Sequence, residues 1–387
     1  MATGLEGKYV IKNNKKMAFG YTTGTCAAAA AKAAALMLFS KQPVESVDIM
    51  TPKGILLHLK VLESSWEEDA AVCAIQKDGG DDPDVTHGTY IYARVSHGKP
   101  DNFTKVKIDG GVGVGRVTKP GLEQSVGEAA INKVPRQMIT KEVLEVCDEC
   151  GFTGEVSVEI FVPEGEELAQ KTFNPRLGIV GGISILGTSG IVEPMSETAL
   201  ISSIRLEMKM HRNNGAEYLV VSPGNYGAAY LEANFPINLN KAVKCSNYVG
   251  ETIDMAVEMG YKGIMFVGHI GKFIKVAGGI MNTHSRSSDS RMEILASNAI
   301  KAGADMNAVK KVLEALTTDE GISILKQHGL MEATMEHVMD RIYFYMDHRA
   351  YGNLELGILV FSNEYGELGR IGDIDGLFKK TQAWMEE

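Results

Sequence analysis

The sequence NPRLGIVGGISILGTSGIVEPMSE occupies residues 174 to 197 and joins two halves of the chain that have different patterns. Residues 183 to 186 are a short apolar run with β-branched side chains, which predicts a strand. A glycine loop at residues 187 to 190 interrupts this run, and Ser196 begins a helical pattern. Glycines after a strand let backbone N–H groups approach a ligand, but they also form plain tight turns, and both interpretations stay open.

The composition describes a folded globular protein whose charge does not suit nucleic acid as a main partner. The chain has 387 residues, enough for two domains, and 44% of them are hydrophobic. The formal net charge is −10 and no long basic stripe offsets it, which argues against nucleic acid as the main partner. The longest apolar run, residues 27 to 39, is interrupted by Lys32, and the N-terminus lacks a signal-peptide pattern. We therefore expect a cytoplasmic protein that does not cross a membrane.

The cysteines predict neither a disulfide framework nor a metal site. There are five of them, an odd number, which fits a reducing compartment. Cys147 and Cys150 have the CxxC spacing of zinc and redox sites, but no second CxxC accompanies them. Two idle thiols are the simpler interpretation, and we predict no protein-bound metal.

Residues 1 to 172 predict an α+β domain. The string GYTTGTCAAAAAKAAA from residue 20 predicts a helix, and threonine hydroxyls are available to cap its N-terminus. Such an N-terminus suits a ligand, but it also suits a well-capped buried helix. From residue 44 to residue 117 the hydrophobic period changes to two, which predicts a mostly antiparallel sheet, and residues 155 to 162 extend it.

An acidic loop, KDGGDDPDVTHG at residues 77 to 88, lies between two predicted strands. Its aspartates can hold a divalent ion, accept a proton or bind amine nitrogens. The ligand spacing of a calcium hand is absent, so solvated turn chemistry is the alternative. The glycines at residues 110 to 115 do not have the GxGxxG spacing, so we expect no dinucleotide site there, and Arg116 is available to a carboxylate.

Residues 173 to 387 predict an α/β domain with a Rossmann-like parallel sheet and helices on both faces. Unbroken apolar strands at residues 218 to 221 and 264 to 267 alternate with helices that end in glycine. Parallel sheets bind ligands at the carboxyl ends of their strands. We therefore expect three loops to meet at one edge of this sheet, namely residues 187 to 190, 222 to 227 and 268 to 272.

Four strings occur in order along the chain: GYTTGTCAAAAAKAA at 20 to 34, DGGDDPDVTHG at 78 to 88, GGISILGTSGIVEPMSE at 181 to 197, and GHIGK with GGIMNTHSRSSDSRMEIL from 268 to 295. Together they resemble the CbiD family, the cobalt-precorrin-5B methyltransferases of anaerobic cobalamin biosynthesis. The resemblance implies that S-adenosylmethionine donates a methyl group to carbon 1 of cobalt-precorrin-5B, giving cobalt-precorrin-6A. It also implies that the cobalt belongs to the substrate and not to the protein.

The implied substrate is a flat macrocycle with many carboxylates, which calls for distributed hydrogen-bond donors. The predicted substrate-binding residues are Thr22, Thr23, Thr25, Asp81, Asp84, His87, Arg116, Arg136, Lys272, His284 and Arg286. The aspartates would repel carboxylates, so we expect them to face pyrrole nitrogens, and Asp82 is the candidate proton acceptor. The predicted residues for S-adenosylmethionine are Gly187, Thr188, Ser189, Gly190, Glu193, Ser222, Gly224, Asn225, Gly268 and His269.

These expectations describe a two-domain enzyme that holds the corrinoid in the cleft between the domains. One alternative is a nicotinamide-dependent corrin reductase, which the missing GxGxxG disfavours. The other is a non-catalytic corrinoid carrier or sensor, which would need no glycine loops for a cofactor. Saturable binding of S-adenosylmethionine argues against the carrier. Monomer and homodimer both stay open.

Overall fold

The computed structural model describes residues 3–236 and 239–385, which divide into two compact units. Unit 1 is Met1–Glu197 and unit 2 is Thr198–Glu387. The boundary therefore follows residue 197, whereas the hydrophobic pattern predicted it after residue 172. The reason is that residues 179 to 192 form short strands that pair with earlier strands of unit 1.

Unit 1 combines many short strands with two long helices. Its strands are β1 Tyr9–Lys12, β2 Lys15–Ala18, β3 Gly20–Tyr21, β4 Ser46–Met50, β5 Leu56–Lys60, β6 Glu63–Trp66, β7 Ala70–Gln76, β8 Tyr90–Pro100, β9 Lys105–Gly110, β10 Gly113–Val114, β11 Arg116–Val117, β12 Gly154–Phe161, β13 Ile179–Val180, β14 Gly182–Ile183 and β15 Ile191–Val192. Its helices are α1 Thr23–Ser40, α2 Lys133–Glu149 and α3 Gly165–Ala169.

The main sheet of unit 1 has the strand order β6-β7-β8-β12-β9. Its pairs are antiparallel except β9 with β12, in agreement with the mostly antiparallel prediction. Strands β4 and β5 form an antiparallel hairpin that is a sheet of its own. Strands β13, β14 and β15 pair with β11, β10 and β3 respectively, which ties the end of unit 1 to its beginning.

Helix α1 lies in the core of unit 1, between the main sheet and α2. Its alanines are fully buried, because methyl side chains let the sheet and α2 approach the helix backbone closely. Lys32 is its one charged residue, and the Nζ atom of Lys32 lies 2.6 Å from Glu142 Oε2 on α2. Within the described residues α1 alone has the length and composition of a membrane span, but 78% of that window is buried inside the protein, as in a soluble core helix.

Helix α2 corrects one prediction. The sequence pattern indicated two helical segments, residues 127 to 132 and 140 to 150, separated by Pro135. The structure has one continuous helix from Lys133, with Pro135 in its first turn. A proline is tolerated there because its missing N–H would have no intrahelical acceptor.

Unit 2 is built on five strands and a set of helices. The strands are β16 Tyr218–Ser222, β17 Val243–Lys244, β18 Gly263–His269, β19 Glu355–Ser362 and β20 Gly366–Ile371. The helices are α4 Glu197–Asn213, α5 Asn225–Asn234, α6 Val249–Glu258, α7 Ile270–Phe273, α8 Arg291–Lys301, α9 Met306–Glu314, α10 Thr318–Gln327, α11 Met331–Ala350 and α12 Ile374–Met385, with 3-10 turns at Leu239–Lys241 and Val276–Gly278.

The sheet of unit 2 is mixed, with the order β17-β16-β18-β19-β20. Strands β16 to β19 are parallel, but β20 runs antiparallel to β19, so the prediction of a parallel sheet is wrong at this edge. The connection from β19 to β20 is a short turn, which cannot make a parallel crossover. Apolar side chains cover both faces, with Ile253 and Phe266 in one core and Leu231 and Leu377 in the other.

The chain order within this sheet creates a switch point. From β16 the chain crosses to β17 on one side, and from β18 it crosses to β19 on the other side. The connections that leave the carboxyl ends of β16 and β18 therefore diverge. In open α/β sheets a crevice at such a point is the usual ligand site.

Candidate functional site

Three of the four distinctive strings meet at the N-terminus of α1. The backbone N–H of Tyr21 donates to Asp78 O at 2.8 Å, which joins β3 to the acidic loop. The hydroxyl of Thr25 donates to Gly190 O at 2.7 Å. The hydroxyl of Thr23 accepts from Leu186 N at 2.9 Å, and Thr22 caps the helix by accepting from Thr25 N at 3.2 Å. The three predicted threonines are thus brought together, but buried and bonded to the protein itself.

The glycine loop at residues 187 to 190 packs against these threonines. A Cβ atom on Gly187 would lie 2.3 Å from Thr22 Oγ1, and one on Gly190 would lie 2.9 Å from Thr51 Cβ. The glycines therefore permit close approach between two parts of unit 1. Of the two interpretations that the sequence left open, the geometry favours the packing turn.

The predicted placement of this loop at the edge of the parallel sheet is wrong. It follows β14, a two-residue strand that pairs with β10 in unit 1. Within the same segment Thr188 is exposed, the hydroxyl of Ser189 donates to Ile191 O at 2.9 Å, and Glu193 forms an ion pair with Lys53. The residues predicted for S-adenosylmethionine consequently fall into two sets, one in each unit.

The acidic loop uses its carboxylates to join segments that are distant in sequence. Asp81 accepts from the backbone N–H of Ala18 at 2.5 Å, and Asp82 accepts from that of Met195 at 2.8 Å. His87 also has an internal partner, because its Nδ1 atom accepts from Gly79 N at 3.0 Å. These contacts position the loop, the N-terminal hairpin and the end of the third string relative to one another.

Asp84 forms the best-buried ion pair of this loop. Its Oδ2 atom lies 2.6 Å from Nζ of Lys77, whose side chain is only 2% exposed. Its Oδ1 atom accepts from the backbone and the hydroxyl of Thr86 at 2.8 and 2.6 Å. Burial alone raises the pKa of Asp84, but the Lys77 ammonium and the hydrogen bonds together hold this pKa below its ordinary value.

The two predicted arginines of unit 1 are occupied as well. Arg116 makes a bidentate contact with Asp109, at 2.6 and 3.1 Å, and donates to Gly110 O. Arg136 donates to the carbonyl oxygens of Ile131, Ile108 and Ala129. Their guanidinium groups therefore have carboxylate or carbonyl partners within unit 1.

The second set of predicted residues lies at the switch point of unit 2. Ser222 ends β16 and Gly224 is the N-cap residue of α5, while Gly268 and His269 end β18 and lead into α7. The predictions for these two loops agree with the structure, since both lie at the carboxyl edge of the sheet. Gly224 has φ +89°, a conformation in the left-handed region that favours glycine.

The turn after β16 also carries a glycine motif that the predictions from sequence do not include. Ser222, Gly224 and Gly227 have the spacing of the GxGxxG fingerprint, with serine at the first position. A Cβ atom on Gly227 would lie 2.7 Å from Ser222 Cβ and 2.8 Å from Val267 O, so glycine allows α5 to pack closely on the strands. The sequence indicates this motif by an apolar strand that is followed by Gly-x-x-Gly at residues 224 to 227. In a dinucleotide site an acidic residue follows the glycine motif by about 20 positions. In this chain Lys244, at the end of β17, occupies that position.

His269 and Lys272 place nitrogen atoms at the same edge. His269 caps α7, with Nδ1 accepting from Gly271 N at 3.1 Å, so the proton of the neutral ring is on Nε2. Within the described residues that Nε2 atom is buried and has no hydrogen-bond partner. Burial lowers the pKa of His269, and nearby Asp319 opposes this only partly. The ring is consequently neutral at pH 7 and presents a donor.

The segment with His284 and Arg286 lies beside the chain that follows β17. Thr283 N donates to Asn247 O at 2.9 Å, and the buried Lys275 Nζ donates to Thr283 O at 3.1 Å. His284 and Arg286 are both exposed. The Nδ1 atom of His284 accepts a hydrogen bond from the backbone N–H of Arg286 at 3.1 Å. The guanidinium of Arg286 forms no ion pair within the described residues.

No group of three or more His, Cys, Asp and Glu side chains that could hold a metal ion occurs in residues 3–236 and 239–385. Cys147 and Cys150 are free thiols, the first buried and the second exposed. Burial raises the pKa of Cys147 to about 11, so this thiol is not a ready ligand or nucleophile.

Comparisons with known proteins cover both units. The family model described as CbiD matches residues 10–194, and the model described as CbiD, C-terminal domain, matches residues 282–372. A cobalt-precorrin-5B C(1)-methyltransferase of Ruminiclostridium cellulolyticum is 47% identical over 93% of each chain. One of Alkaliphilus metalliredigens is 47% identical over 98% of this chain and 100% of its own. The crystal structure of a cobalamin biosynthesis protein (cbiD) from Archaeoglobus fulgidus is 28% identical, covers 73% of this chain and 87% of that one, and has a TM-score of 0.39.

Proposed function

The chain belongs to the CbiD family, and we propose on this basis that it transfers a methyl group from S-adenosylmethionine to carbon 1 of cobalt-precorrin-5B, giving cobalt-precorrin-6A. The observation that carries the proposal is the 47% identity to relatives named cobalt-precorrin-5B C(1)-methyltransferase along nearly the whole chain. Similarity that runs through both units supports the complete activity rather than the activity of one unit.

This reaction needs neither a protein nucleophile nor a protein-bound metal. The sulfonium of S-adenosylmethionine supplies an already activated methyl group. The protein's part is then to orient the two ligands and exclude water, and orientation alone contributes up to roughly 7 to 11 kcal/mol. The cobalt enters as part of the substrate, so the protein needs no metal ligands of its own.

We place the methyl donor at the switch point of unit 2, with Ser222, Gly224, Asn225, Gly268 and His269 around it. The divergent loops and the glycine motif support this choice, and on the same grounds we propose that unit 2 is a Rossmann-like variant with one antiparallel edge strand. Residues 187 to 193 are left out of the proposal because their contacts are with unit 1. For the carboxylates of the corrinoid we propose the exposed His284 and Arg286.

The test is transfer of an isotopically labelled methyl group from S-adenosylmethionine to enzymatically prepared cobalt-precorrin-5B, followed by mass spectrometry of the tetrapyrrole. We expect the gain of one labelled methyl at carbon 1. Consumption of NADPH without methyl gain would support the reductase. The glycine motif at Ser222 is the feature that favours this alternative, since its spacing is that of a dinucleotide site. Tight corrinoid binding with neither reaction would support the carrier or sensor.

Asp82 was the candidate proton acceptor, and its contact with Met195 N favours a positioning role instead. We expect Asp82→Asn to leave turnover unchanged, because the amide oxygen can still accept from Met195 N. Steady-state turnover with saturating substrates is the measurement, and an unchanged thermal midpoint shows that the variant is folded. A large loss of turnover in a folded variant would restore Asp82 as the proton acceptor.

A further inference from the structure

Lys272 is a partly buried cation that lacks an acidic partner. It lies on α7, directly after β18, and its Nζ atom is 3.5 Å from the position that a Cβ on Gly224 would take. Within the described residues Nζ has neither an ion pair nor a hydrogen bond. Burial lowers the pKa of Lys272, and the nearby Cys245 offsets this only partly. The ammonium is thus partly withdrawn from water, and this burial is only partly compensated.

Other lysines of this chain that are buried or partly buried are compensated. Lys77 is paired with Asp84 at 2.6 Å, and Lys275 donates to the carbonyl oxygen of Thr283 at 3.1 Å. Lys32 reaches Glu142 at 2.6 Å. Partners of this kind are the normal condition for a buried charge. Lys272 differs from these lysines because its Nζ atom lies beside the turn at Gly224 and has no carboxylate or carbonyl partner among the described residues.

The surroundings of Lys272 favour an anion. The ten-residue helix α5 begins at Asn225, and no acidic residue lies in its first turn. Its unbonded N–H groups add positive potential beside Gly224. The left-handed conformation of Gly224 lets this turn run beside the ammonium without a side chain in the way. A planar carboxylate between Lys272 and this turn would satisfy both groups.

We propose that Lys272 binds a carboxylate of one of the two ligands of the methyl transfer, at the turn between β16 and α5. This inference rests on the proposed function, which supplies both candidate carboxylates. S-adenosylmethionine has one, on its methionine part, and the corrinoid has several on its side chains. Lys272 is then a ligand-binding residue that determines affinity and takes no part in bond making.

Matched ligand pairs test the inference by isothermal titration. S-adenosylhomocysteine carries the methionine-type carboxylate, and 5′-methylthioadenosine lacks it. Cobyrinic acid carries free side-chain carboxylates, and its heptaamide lacks them. Each ligand is titrated into the full chain, into Lys272→Met, and into Lys310→Met as a control. Lys310 is an exposed lysine of the same unit, with no ion pair within the described residues.

We expect Lys272→Met to weaken binding of the carboxylate-bearing member of one pair by about 10-fold or more, as for a lost charged hydrogen bond. The carboxylate-free member and the Lys310→Met variant should bind as in the wild type. The pair that responds identifies the source of the carboxylate. Lys272→Arg should recover most of the affinity, because the charge is kept; this rescue separates a lost contact from a damaged fold.

Two results would overturn the inference while leaving the proposed function intact. In the first, both carboxylate ligands bind Lys272→Met as tightly as they bind the wild type. In the second, the variant loses affinity equally for both members of a pair, and Lys272→Arg does not recover it. If the wild type binds neither S-adenosylhomocysteine nor cobyrinic acid, the proposed function itself is refuted, and the inference falls with it.

Discussion

Asp84→Ala is expected to lower the free energy of unfolding of unit 1 by about 3 to 5 kcal/mol, the usual effect of removing one partner of a buried ion pair. The variant leaves the Lys77 ammonium buried without its carboxylate. Urea unfolding followed by tryptophan fluorescence measures the effect. The chain has two tryptophans, and Trp384→Phe leaves Trp66 on β6 as the reporter for unit 1.

The control for this prediction is Asp69→Ala, since Asp69 is exposed and should contribute less than about 0.5 kcal/mol. The double variant Lys77→Met/Asp84→Ala removes both charges and should be more stable than Asp84→Ala alone. Equal unfolding midpoints for Asp84→Ala and Asp69→Ala would show that the pair adds nothing to stability.

The pH dependence of this effect follows from the lowered pKa of Asp84. A carboxyl whose folded pKa is depressed stabilises the fold above its unfolded pKa, about 3.9 for aspartate. That stabilisation disappears as the pH falls through the lower folded pKa. The difference between wild type and Asp84→Ala should therefore be constant near neutral pH and shrink only below about pH 4.

Gly113→Ala is the second substitution with a large expected effect, about 3 kcal/mol or more. Gly113 has φ +72°, and a Cβ there would lie 1.7 Å from Val162 O. The backbone around Gly113 cannot move apart easily, because two further segments are packed against it. The Cβ positions of Gly165 and Gly182 lie 2.0 and 2.1 Å from the carbonyl oxygen of Gly113. Thermal unfolding and soluble yield are the measurements.

Gly127→Ala is the matched control for Gly113. Gly127 also has a positive φ, +92°, but no atom lies within 4 Å of its Cβ position. This variant carries the backbone strain alone, so the difference between the two midpoints isolates the steric clash. Equal midpoints would mean that the backbones around Gly113 separate at little cost.

The parts of the fold that follow from sequence are those with a long hydrophobic period. Helix α1 is predicted because an alanine run follows several threonines, and β8 because apolar and polar side chains alternate along most of it. Helix α4 and strand β18 are also where the pattern placed them. In these elements local propensity and burial favour the same conformation.

The missed parts depend on pairing between distant residues. Strands β13 to β15 have two residues each, too few to show a period, and their place in unit 1 comes from partners about 60 to 170 positions earlier. The same cause misplaced the loop at residues 187 to 190. At Ser222 the reason is different, since a serine stands at the first position of the GxGxxG spacing and the motif therefore lacks one of its three glycines.

The bond between Thr25 and Gly190 spans 165 residues, which matters for synthesis on the ribosome. At about 5 to 20 residues per second, roughly 8 to 30 s pass between translation of the two residues. Throughout that interval the nascent helix α1 lacks the partners that complete its N-terminus. The main-sheet strands and α2 that cover the apolar surface of α1 end by residue 161, so slower translation after that point should lengthen only the period in which the N-terminal turn of α1 is incomplete.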